Sequence, residues 1–250
     1  MKTQGRQRPP LLEIENLTLE LGGKVIIRQV NLQVREGEVM VMFGPNGVGK
    51  SSLLLAIMGF PRYRVSSGRI LFRGRNLDGL SIDERARLGI GMMFQHPPAV
   101  RGVKLGQMAS RIGPRDEAGG LGEELNLSSF LDRDLNLGFS GGEMKRAEVL
   151  QLRAQSPELL LLDEPESGVD MENMALLGDA FNRILHPGGK PRSLRGALVI
   201  THTGYILDYL PADRGCVLLD HQLKCTNNPR AIFQRIRKVG FQDCQTCSEQ

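Results

Sequence analysis

The sequence predicts an α/β fold in which a mostly parallel sheet carries a phosphate-binding loop. Three observations lead to this prediction. A glycine-rich segment at 44–51 lies between an apolar strand and a helix. Several other short apolar segments end in a polar residue, as buried parallel strands do at the ligand-binding edge of a sheet. The segment 96–137 has two adjacent prolines and helix-like pieces but no long strand, which indicates an inserted helical subdomain.

The glycine-rich segment matches the pattern G-x-x-x-x-G-K-[ST] without a mismatch. Its residues are Gly44, Pro45, Asn46, Gly47, Val48, Gly49, Lys50 and Ser51, with Ser52 behind them. Glycines let successive backbone N–H groups turn inward, and the helix N-terminus adds a partial positive charge. We expect Lys50 to reach the β- and γ-phosphates and the Ser51 hydroxyl to bind Mg²⁺. The sequence therefore predicts binding of a nucleoside triphosphate rather than a chance glycine turn.

Length and composition predict how the chain is organised. We expect a flexible N-terminal tail at 1–10, a catalytic α/β core with an antiparallel β subdomain at 11–95 and 138–250, and the helical subdomain at 96–137. The formal charge of +4 is too small to indicate a nucleic-acid partner. No apolar segment approaches the ~20 residues of a membrane-spanning helix, and the basic N-terminus lacks a signal peptide's apolar stretch. We therefore expect a cytoplasmic protein without direct membrane insertion.

The chain contains four cysteines, too few for a disulfide framework, which also favours a reducing cytosol. Only Cys244 and Cys247 have metal-ligand spacing, and they lie at the extreme C-terminus. A C-x-x-C pair provides half of a tetrahedral metal site, so a complete site needs two more ligands. Two tail cysteines without a metal and a metal shared with a partner are both compatible with the sequence.

Periodicity predicts the remaining elements. Alternating apolar residues indicate strands, and a capping box at 81–84 indicates a short helix. The predicted strands are 17–21, 30–34, 39–43, 69–74, 90–94, 158–164 and 197–202, with a closing hairpin at 216–224. The predicted helices are 52–58, 81–88, 144–155, 171–185 and 230–239.

Four polar residues follow these predicted strands, namely Gln95, Asp163, Glu164 and His202. Each alone has an ordinary structural explanation, such as capping a neighbouring helix. Because parallel strands end at one edge of a sheet, we expect all four beside the phosphate loop. There, Asp163 and Gln95 are expected to help bind Mg²⁺, and Glu164 to accept the proton of the attacking water. His202 is expected to hydrogen-bond the γ-phosphate.

A second anion-binding feature is predicted at Ser140, Gly141 and Gly142, which open a helix but have no lysine after them. The order and spacing of all these segments resemble the ATP-binding cassette (ABC) ATPases. The resemblance identifies the phosphate loop, the Q-loop glutamine Gln95 and a signature close to L-S-G-G-Q at 139–143. It also identifies the acidic strand at 159–164, a D-loop that ends at Asp170, and the switch histidine His202.

The flanks of the signature point to one subgroup. Residues 136–146 resemble the N-x-G-F-S-G-G-E-x-K-R of SufC-type ATPases of iron–sulfur cluster assembly. The stretches 94–97 and 163–170, and the absence of an aromatic residue near Leu21, are also similar to that group. The pair Pro165-Glu166 is closer to the general ABC pattern, and the region 100–125 is short.

The resemblance implies an ATPase that uses ATP and Mg²⁺ and works as a head-to-tail dimer. Ser140, Gly141, Gly142 and Asp170 of one copy would complete the ATP site of the other. Lys145 would pair with Glu164 in the resting subunit and hold it out of position. The implied partner is a SufB/SufD-like scaffold protein.

Two further functions are open at this point. One is the nucleotide-binding subunit of an ABC membrane transporter, because only a fused transporter is excluded by the missing membrane span. The other is a DNA-repair or translation ATPase of the same superfamily, which the single cassette and the absence of a coiled-coil insertion disfavour.

Overall fold

The structure is a computed structural model that describes residues 9–114, 117–189 and 194–241. The strands are β1 (Pro10–Leu21), β2 (Lys24–Arg35), β3 (Val39–Phe43), β4 (Tyr63–Phe72), β5 (Arg75–Asn76), β6 (Ile90–Met93), β7 (Val100–Lys104), β8 (Asp134–Leu135), β9 (Leu159–Asp163), β10 (Gly196–Ile200), β11 (Arg214–Leu219) and β12 (Gln222–Asn227). The α-helices are α1 (Lys50–Met58), α2 (Ile82–Arg87), α3 (Leu105–Ile112), α4 (Glu117–Glu124), α5 (Gly141–Gln155), α6 (Met171–Leu185) and α7 (Pro229–Val239).

The central sheet has six strands in the order β12-β11-β3-β10-β9-β6. Strands β11, β3, β10, β9 and β6 are parallel, and β12 closes the edge as an antiparallel hairpin with β11. A second, antiparallel sheet has the order β2-β1-β4-β5. This arrangement confirms the predicted α/β fold with a parallel sheet and an antiparallel β layer. It also places the carboxyl ends of β3, β6, β9 and β10 at one edge.

The central sheet separates two hydrophobic cores. In β9, Leu160 and Leu162 belong to the core that α5 and α6 cover, whereas Leu159 and Leu161 belong to the core shared with α1 and the antiparallel sheet. Residues of β3 and β10 alternate in the same way. A strand that is buried on both faces reads as a continuous apolar run, because successive side chains point in opposite directions. Because both faces of these strands are packed, the strand ends that form the candidate site are held in place.

The predicted helical segment contains α3 and α4, but it also contains a small antiparallel pair, β7 with β8. The sequence predicts helix-like pieces and no long strand in this segment. The two strands are short, and β8 has only two residues, too few for a period of two to be recognised. The division of the chain at 96 and 137 stays a prediction.

Two of the predictions concern the ends of the chain, namely the N-terminal tail and the cysteine pair. Most of the predicted N-terminal tail and both Cys244 and Cys247 lie outside the described residues. Pro10, the last residue of that predicted tail, belongs to β1. Within the described ranges, no helix has the length and apolarity required to cross a membrane.

Candidate functional site

The phosphate loop connects β3 to α1 and passes close to other backbone segments. A Cβ atom on Gly44 would lie 2.3 Å from the carbonyl oxygen of Leu218, and one on Gly49 would lie 2.8 Å from that of Ile26. Gly49 also has a φ of 111°, which disfavours other residues. Both positions therefore require glycine, which explains why the loop lies so close against β2 and β11.

Lys50 begins α1 and lies folded over the loop. Its Nζ donates to the carbonyl oxygens of Gly44 and Pro45 at 2.8 and 2.9 Å. Burial lowers the pKa of Lys50 to about 8, although the charges of Glu164 and Asp163 act in the opposite direction. The buried Lys50 ammonium group therefore loses its proton more readily than that of an exposed lysine, although two carboxylates lie near it.

Ser51 and Asp163 form the candidate magnesium ligands. The Ser51 hydroxyl donates to Asp163 Oδ1 at 3.1 Å, and Asp163 is buried at the end of β9. Burial raises the pKa of Asp163, and the hydrogen bond from Ser51 opposes that shift. Hydroxyl and carboxylate oxygens are donors that suit Mg²⁺, which binds through one or two carboxylates and keeps several waters. This donor set therefore fits Mg²⁺.

Glu164 follows β9 and lies between two of the predicted site residues. Gln95 Nε2 donates to Glu164 Oε2 at 2.7 Å, and His202 Nε2 lies 2.5 Å from Glu164 Oε1. The backbone of Glu164 has a φ of 48°, a left-handed conformation that costs a residue with a Cβ about 1–2 kcal/mol. Its N–H donates to the carbonyl oxygen of Ile200 at 3.0 Å, which fixes this turn to the end of β10. Three strand ends thus hold a single carboxylate.

These residues surround a cavity of about 300 Å³ at the carboxyl edge of the sheet. Its lining residues are Asn46, Gly47, Gly49, Lys50, Ser51, Ser52, Gln95, Glu164 and His202. Asp163 lies behind Ser51, and the Val48 side chain is buried under the loop. The structure brings together the phosphate loop and all four polar strand ends.

The signature residues Ser140, Gly141 and Gly142 do not line this cavity. Ser140 caps α5, because its hydroxyl accepts from the N–H of Glu143 at 3.3 Å while Glu143 Oε2 accepts from the N–H of Ser140 at 2.7 Å. The helix thus begins at Gly141, three residues before the predicted Met144. Both glycines are in the first turn because the capping box, rather than helix propensity, sets the start.

Asp170, the last predicted nucleotide contact, also lies away from the cavity lining. Its side chain caps α6 by accepting from the backbone N–H and the side-chain amide of Asn173, at 2.9 and 2.7 Å. These hydrogen bonds lower its pKa. Within one chain, Asp170 therefore has a helix-capping function, and its nucleotide contact stays a prediction.

Lys145 does not pair with Glu164, contrary to expectation. Its Nζ donates to the carbonyl oxygen of Phe94 at 2.5 Å and lies 3.7 Å from Glu148 Oε2. Glu148 Oε1 in turn accepts from the N–H of Phe94 at 2.8 Å. Lys145 and Glu148 are one turn apart on the buried face of α5, and both point at the backbone of Phe94 rather than at the cavity. Lys145 binds the peptide group after Phe94 and Glu148 binds the peptide group before it, so together they form a clamp on the Phe94 backbone.

The Lys145 ammonium group and the Glu148 carboxylate are both buried, and the distance of 3.7 Å between Nζ and Oε2 is long for an ion pair. Burial lowers the pKa of Lys145 and raises that of Glu148 to about 7, so burial outweighs their mutual attraction. Because the folded-state pKa of Glu148 exceeds its value of 4.5 in the unfolded chain, its stabilising contribution is complete below 4.5. That contribution is lost as the pH rises through 7.

We predict that Lys145→Met lowers the free energy of unfolding by about 3 kcal/mol at pH 8, because it leaves a buried carboxylate uncompensated. The loss should be smaller at pH 5.5, where Glu148 can stay protonated. The double variant Lys145→Met/Glu148→Gln should recover part of it. Urea unfolding of the three variants and the parent at both pH values measures these differences. Equal losses at both pH values, or strictly additive effects, would contradict the prediction.

The roles of four residues could not be predicted from the sequence, namely those of Glu148, Glu166, Thr201 and Thr203. Glu148 could not be singled out because it lies in α5, whose sequence shows only a general apolar pattern. The Glu166 carboxylate accepts a hydrogen bond from the Thr201 hydroxyl and another, of 3.0 Å, from that of Thr203. The one available signal was that His202 has a threonine on each side.

Comparisons with known proteins agree with this geometry. A family model described as ABC transporter matches residues 27–167, more than half of the chain. A Streptococcus pyogenes protein named as a probable ABC transporter ATP-binding protein is 37% identical over 246 residues, covering 92% of this chain and 93% of that protein. Vegetative protein 296 of Bacillus subtilis is 36% identical over 248 residues, with coverages of 92% and 91%. The probable ATP-dependent transporter ycf16 of Cyanophora paradoxa is 34% identical over 224 residues, with coverages of 83% and 84%.

Solved structures share the fold. A bacterial Atm1-family ABC exporter with ATP bound superposes with a TM-score of 0.77 at 18% identity, covering 97% of this chain and 43% of that chain. A nucleotide-free ATP-binding cassette from an ABC transporter has a TM-score of 0.72 at 24% identity, covering 96% and 100%. At these identities the superpositions establish the fold alone. Together with the family model and the relatives above 30% identity, they lead to one conclusion: the chain belongs to the ABC transporter family and is an ATP-binding cassette ATPase.

Proposed function

We propose that this chain hydrolyses ATP with Glu164 as the general base and transmits the resulting conformational change to a separate partner protein. The observation that carries the proposal is the Glu164 carboxylate, held between Gln95 and His202 in the cavity that the phosphate loop lines. A carboxylate fixed at two oxygens is oriented to accept a proton from water. We also expect His202 to hydrogen-bond the γ-phosphate.

The other residues of the site bind and orient the triphosphate. Lys50 neutralises charge on the β- and γ-phosphates, and the loop N–H groups bind their oxygens. Ser51 and Asp163 would hold Mg²⁺, with Gln95 as a further ligand. When bound, the ion neutralises charge that develops on the transferred phosphoryl group. Each role is expected from the contacts of the side chain concerned and is testable by substitution.

We further propose that the complete site lies between two copies of the chain. The signature residues Ser140, Gly141 and Gly142 form a helix N-terminus suited to an anion, yet they do not line the cavity of their own chain. Such a feature is most useful if it serves a neighbouring subunit. ATP would then join the two copies, and hydrolysis would release them, because a ligand stabilises the state that binds it better.

The partner that the relatives favour is a membrane-transporter component. Relatives that cover most of the chain are named as ABC transporter ATP-binding proteins or ATP-dependent transporters. We therefore take the nucleotide-binding subunit of a transporter as the leading candidate. This chain would act at the cytoplasmic face of a membrane without being inserted in it.

The second candidate is the ATPase of an iron–sulfur cluster assembly scaffold. The observation that supports it is the similarity of residues 136–146 to the SufC-type signature. Within that segment, Lys145 has its own structural role, as a clamp on the Phe94 peptide. The scaffold would be a SufB/SufD-like protein.

Purification from the native source distinguishes the two candidates. The chain would be captured from detergent-solubilised membranes and, separately, from the soluble fraction under anaerobic conditions, with Lys50→Ala and Glu164→Gln as matched baits. A stoichiometric integral membrane protein that stimulates ATP hydrolysis supports the transporter. A stoichiometric soluble partner containing iron and sulfide supports the scaffold. If neither partner changes the rate of hydrolysis, the proposal of coupling to a partner is wrong.

A further inference from the structure

Glu166 is a buried carboxylate that has no part in the mechanism described so far. It lies two residues after Glu164, in the turn that leaves β9, and only 9% of its surface is exposed. A carboxylate is costly to bury unless it is well hydrogen-bonded. Within the described part of the chain, its Oε2 is buried and has no hydrogen-bond partner. A buried acceptor left unsatisfied in this way needs an explanation, and a functional constraint is one of the usual ones.

Among the residues that the structure describes, the hydrogen bonds to the Glu166 carboxylate all reach its other oxygen, Oε1, and come from one loop. The hydroxyls of Thr201 and Thr203 both donate to Oε1, the second at 3.0 Å. The Thr201 hydroxyl also accepts from the N–H of Gly204 at 2.9 Å, which closes the loop on itself. Thr201 is completely buried. A single carboxylate oxygen therefore binds two residues of the loop that follows β10.

The two threonines are the immediate neighbours of His202. Because both neighbours are bound to Glu166, the peptide that carries the imidazole is fixed on both sides. His202 Nε2 lies 2.5 Å from Glu164 Oε1, so the chain of contacts returns to the turn where it began. These residues form a closed chain of contacts. The turn after β9 connects Glu164 to Glu166, hydrogen bonds connect Glu166 to the two threonines, and His202 between them contacts Glu164.

We propose that Glu166 is a positioning residue for ATP hydrolysis. It orients His202 through Thr201 and Thr203, and His202 in turn holds the Glu164 carboxylate in the direction that in-line attack requires. Glu166 touches neither the cavity lining nor the phosphate loop residues among the contacts described, so its effect passes through His202. The inference rests on the proposed roles of Glu164 and His202.

The expected effect is on turnover and not on ATP binding. Glu166→Ala should lower kcat about ten- to a hundredfold, because displacing a reacting group by about 1 Å can cost a hundredfold. The KM and the Kd for ATP should stay within about twofold, since the phosphate loop is unchanged. Glu166→Gln keeps an acceptor oxygen of the same reach and should recover most of the rate. Thr203→Val, a smaller change at the loop surface, should lower kcat less than Glu166→Ala.

A double-mutant cycle with His202→Ala tests whether the effect passes through the imidazole. Steady-state hydrolysis, ATP titration and urea unfolding would be measured for each variant. If the inference holds, Glu166→Ala has little further effect in the His202→Ala background. It is overturned if Glu166→Ala lowers kcat equally in both backgrounds, leaves kcat unchanged, or raises the Kd for ATP in proportion.

The variants also separate this inference from the proposed function. If His202→Ala alone keeps full activity, the proposed role of His202 is wrong. If His202→Ala is impaired but Glu166→Ala is not, only the positioning role is wrong. Should Glu166→Ala fail to fold, Thr203→Val and Glu166→Gln are compared instead. The positioning role is supported if Thr203→Val lowers kcat while Glu166→Gln keeps most of the parental kcat. It is overturned if Thr203→Val does not lower kcat.

Discussion

Replacing Glu164 with glutamine is expected to lower ATP hydrolysis by about 10²- to 10⁴-fold, the usual contribution of a general base. Glutamine keeps the shape of the side chain, and its single carbonyl oxygen can keep one of the two contacts that Glu164 makes with Gln95 and His202, but it cannot accept the proton of the attacking water. ATP affinity should be unchanged or higher, because a negative charge near the γ-phosphate is removed. Single-turnover hydrolysis and ATP titration measure the two quantities separately.

The matched control is Glu123→Gln, which removes the same charge from an exposed position of α4. It should hydrolyse ATP at the rate of the parent. A Glu164→Gln variant that keeps more than about a tenth of the parental rate would show that another group accepts the proton.

Replacing Lys50 with alanine is expected to weaken ATP binding by about two orders of magnitude, or about 3 kcal/mol. The variant removes the only buried cation among the residues that line the described cavity. Lys224→Ala, an exposed position on β12, makes the same change in net charge and should leave the affinity unchanged. Isothermal titration calorimetry with Mg²⁺ and ATP provides the affinities, and equal affinities for Lys50→Ala and the parent would refute the assigned role.

Lys50 should also make ATP binding depend on pH. Its pKa in the free chain is about 8 because of burial, and a bound triphosphate favours the charged amine, so the pKa in the complex is higher. Below pH 8 the amine is protonated in both states and the affinity should be constant. Above pH 8 binding must take up a proton, so the affinity should fall by up to tenfold per pH unit. This slope should disappear in Lys50→Ala, and an affinity that rises between pH 8 and 9.5 would contradict the expectation.

Much of the site could be predicted because its signals are local. The phosphate loop is a contiguous motif, and β3 before it is buried on both faces, so composition alone marks the strand. Asp163 and His202 were predicted to lie together because parallel strands end at one edge of a sheet. The structure places both at the carboxyl edge, with Asp163 bonded to Ser51 and His202 in contact with Glu164.

The parts that could not be predicted depend on contacts between residues far apart in the chain. Lys145 was expected beside Glu164, but which side of α5 faces the Phe94 peptide depends on how the helix packs, and no period in the sequence encodes that. The link between Glu166 and Thr201 joins residues 35 positions apart. For α5 the sequence predicts that Ser140 to Glu143 open a helix over 144–155, and the capping box places the first helical residue at Gly141.

In the proposed arrangement two copies of the chain share each ATP, and the mass of the complex in solution distinguishes this arrangement from a site within one chain. In sedimentation velocity with saturating Mg²⁺ and ATP, Glu164→Gln should sediment with the mass of two chains, and with ADP as one. Adding Ser140→Arg at the exposed start of α5 should return it to a single chain while ATP still binds. A single-chain mass for Glu164→Gln with bound ATP, or a dimer that ignores Ser140→Arg, would contradict the shared site.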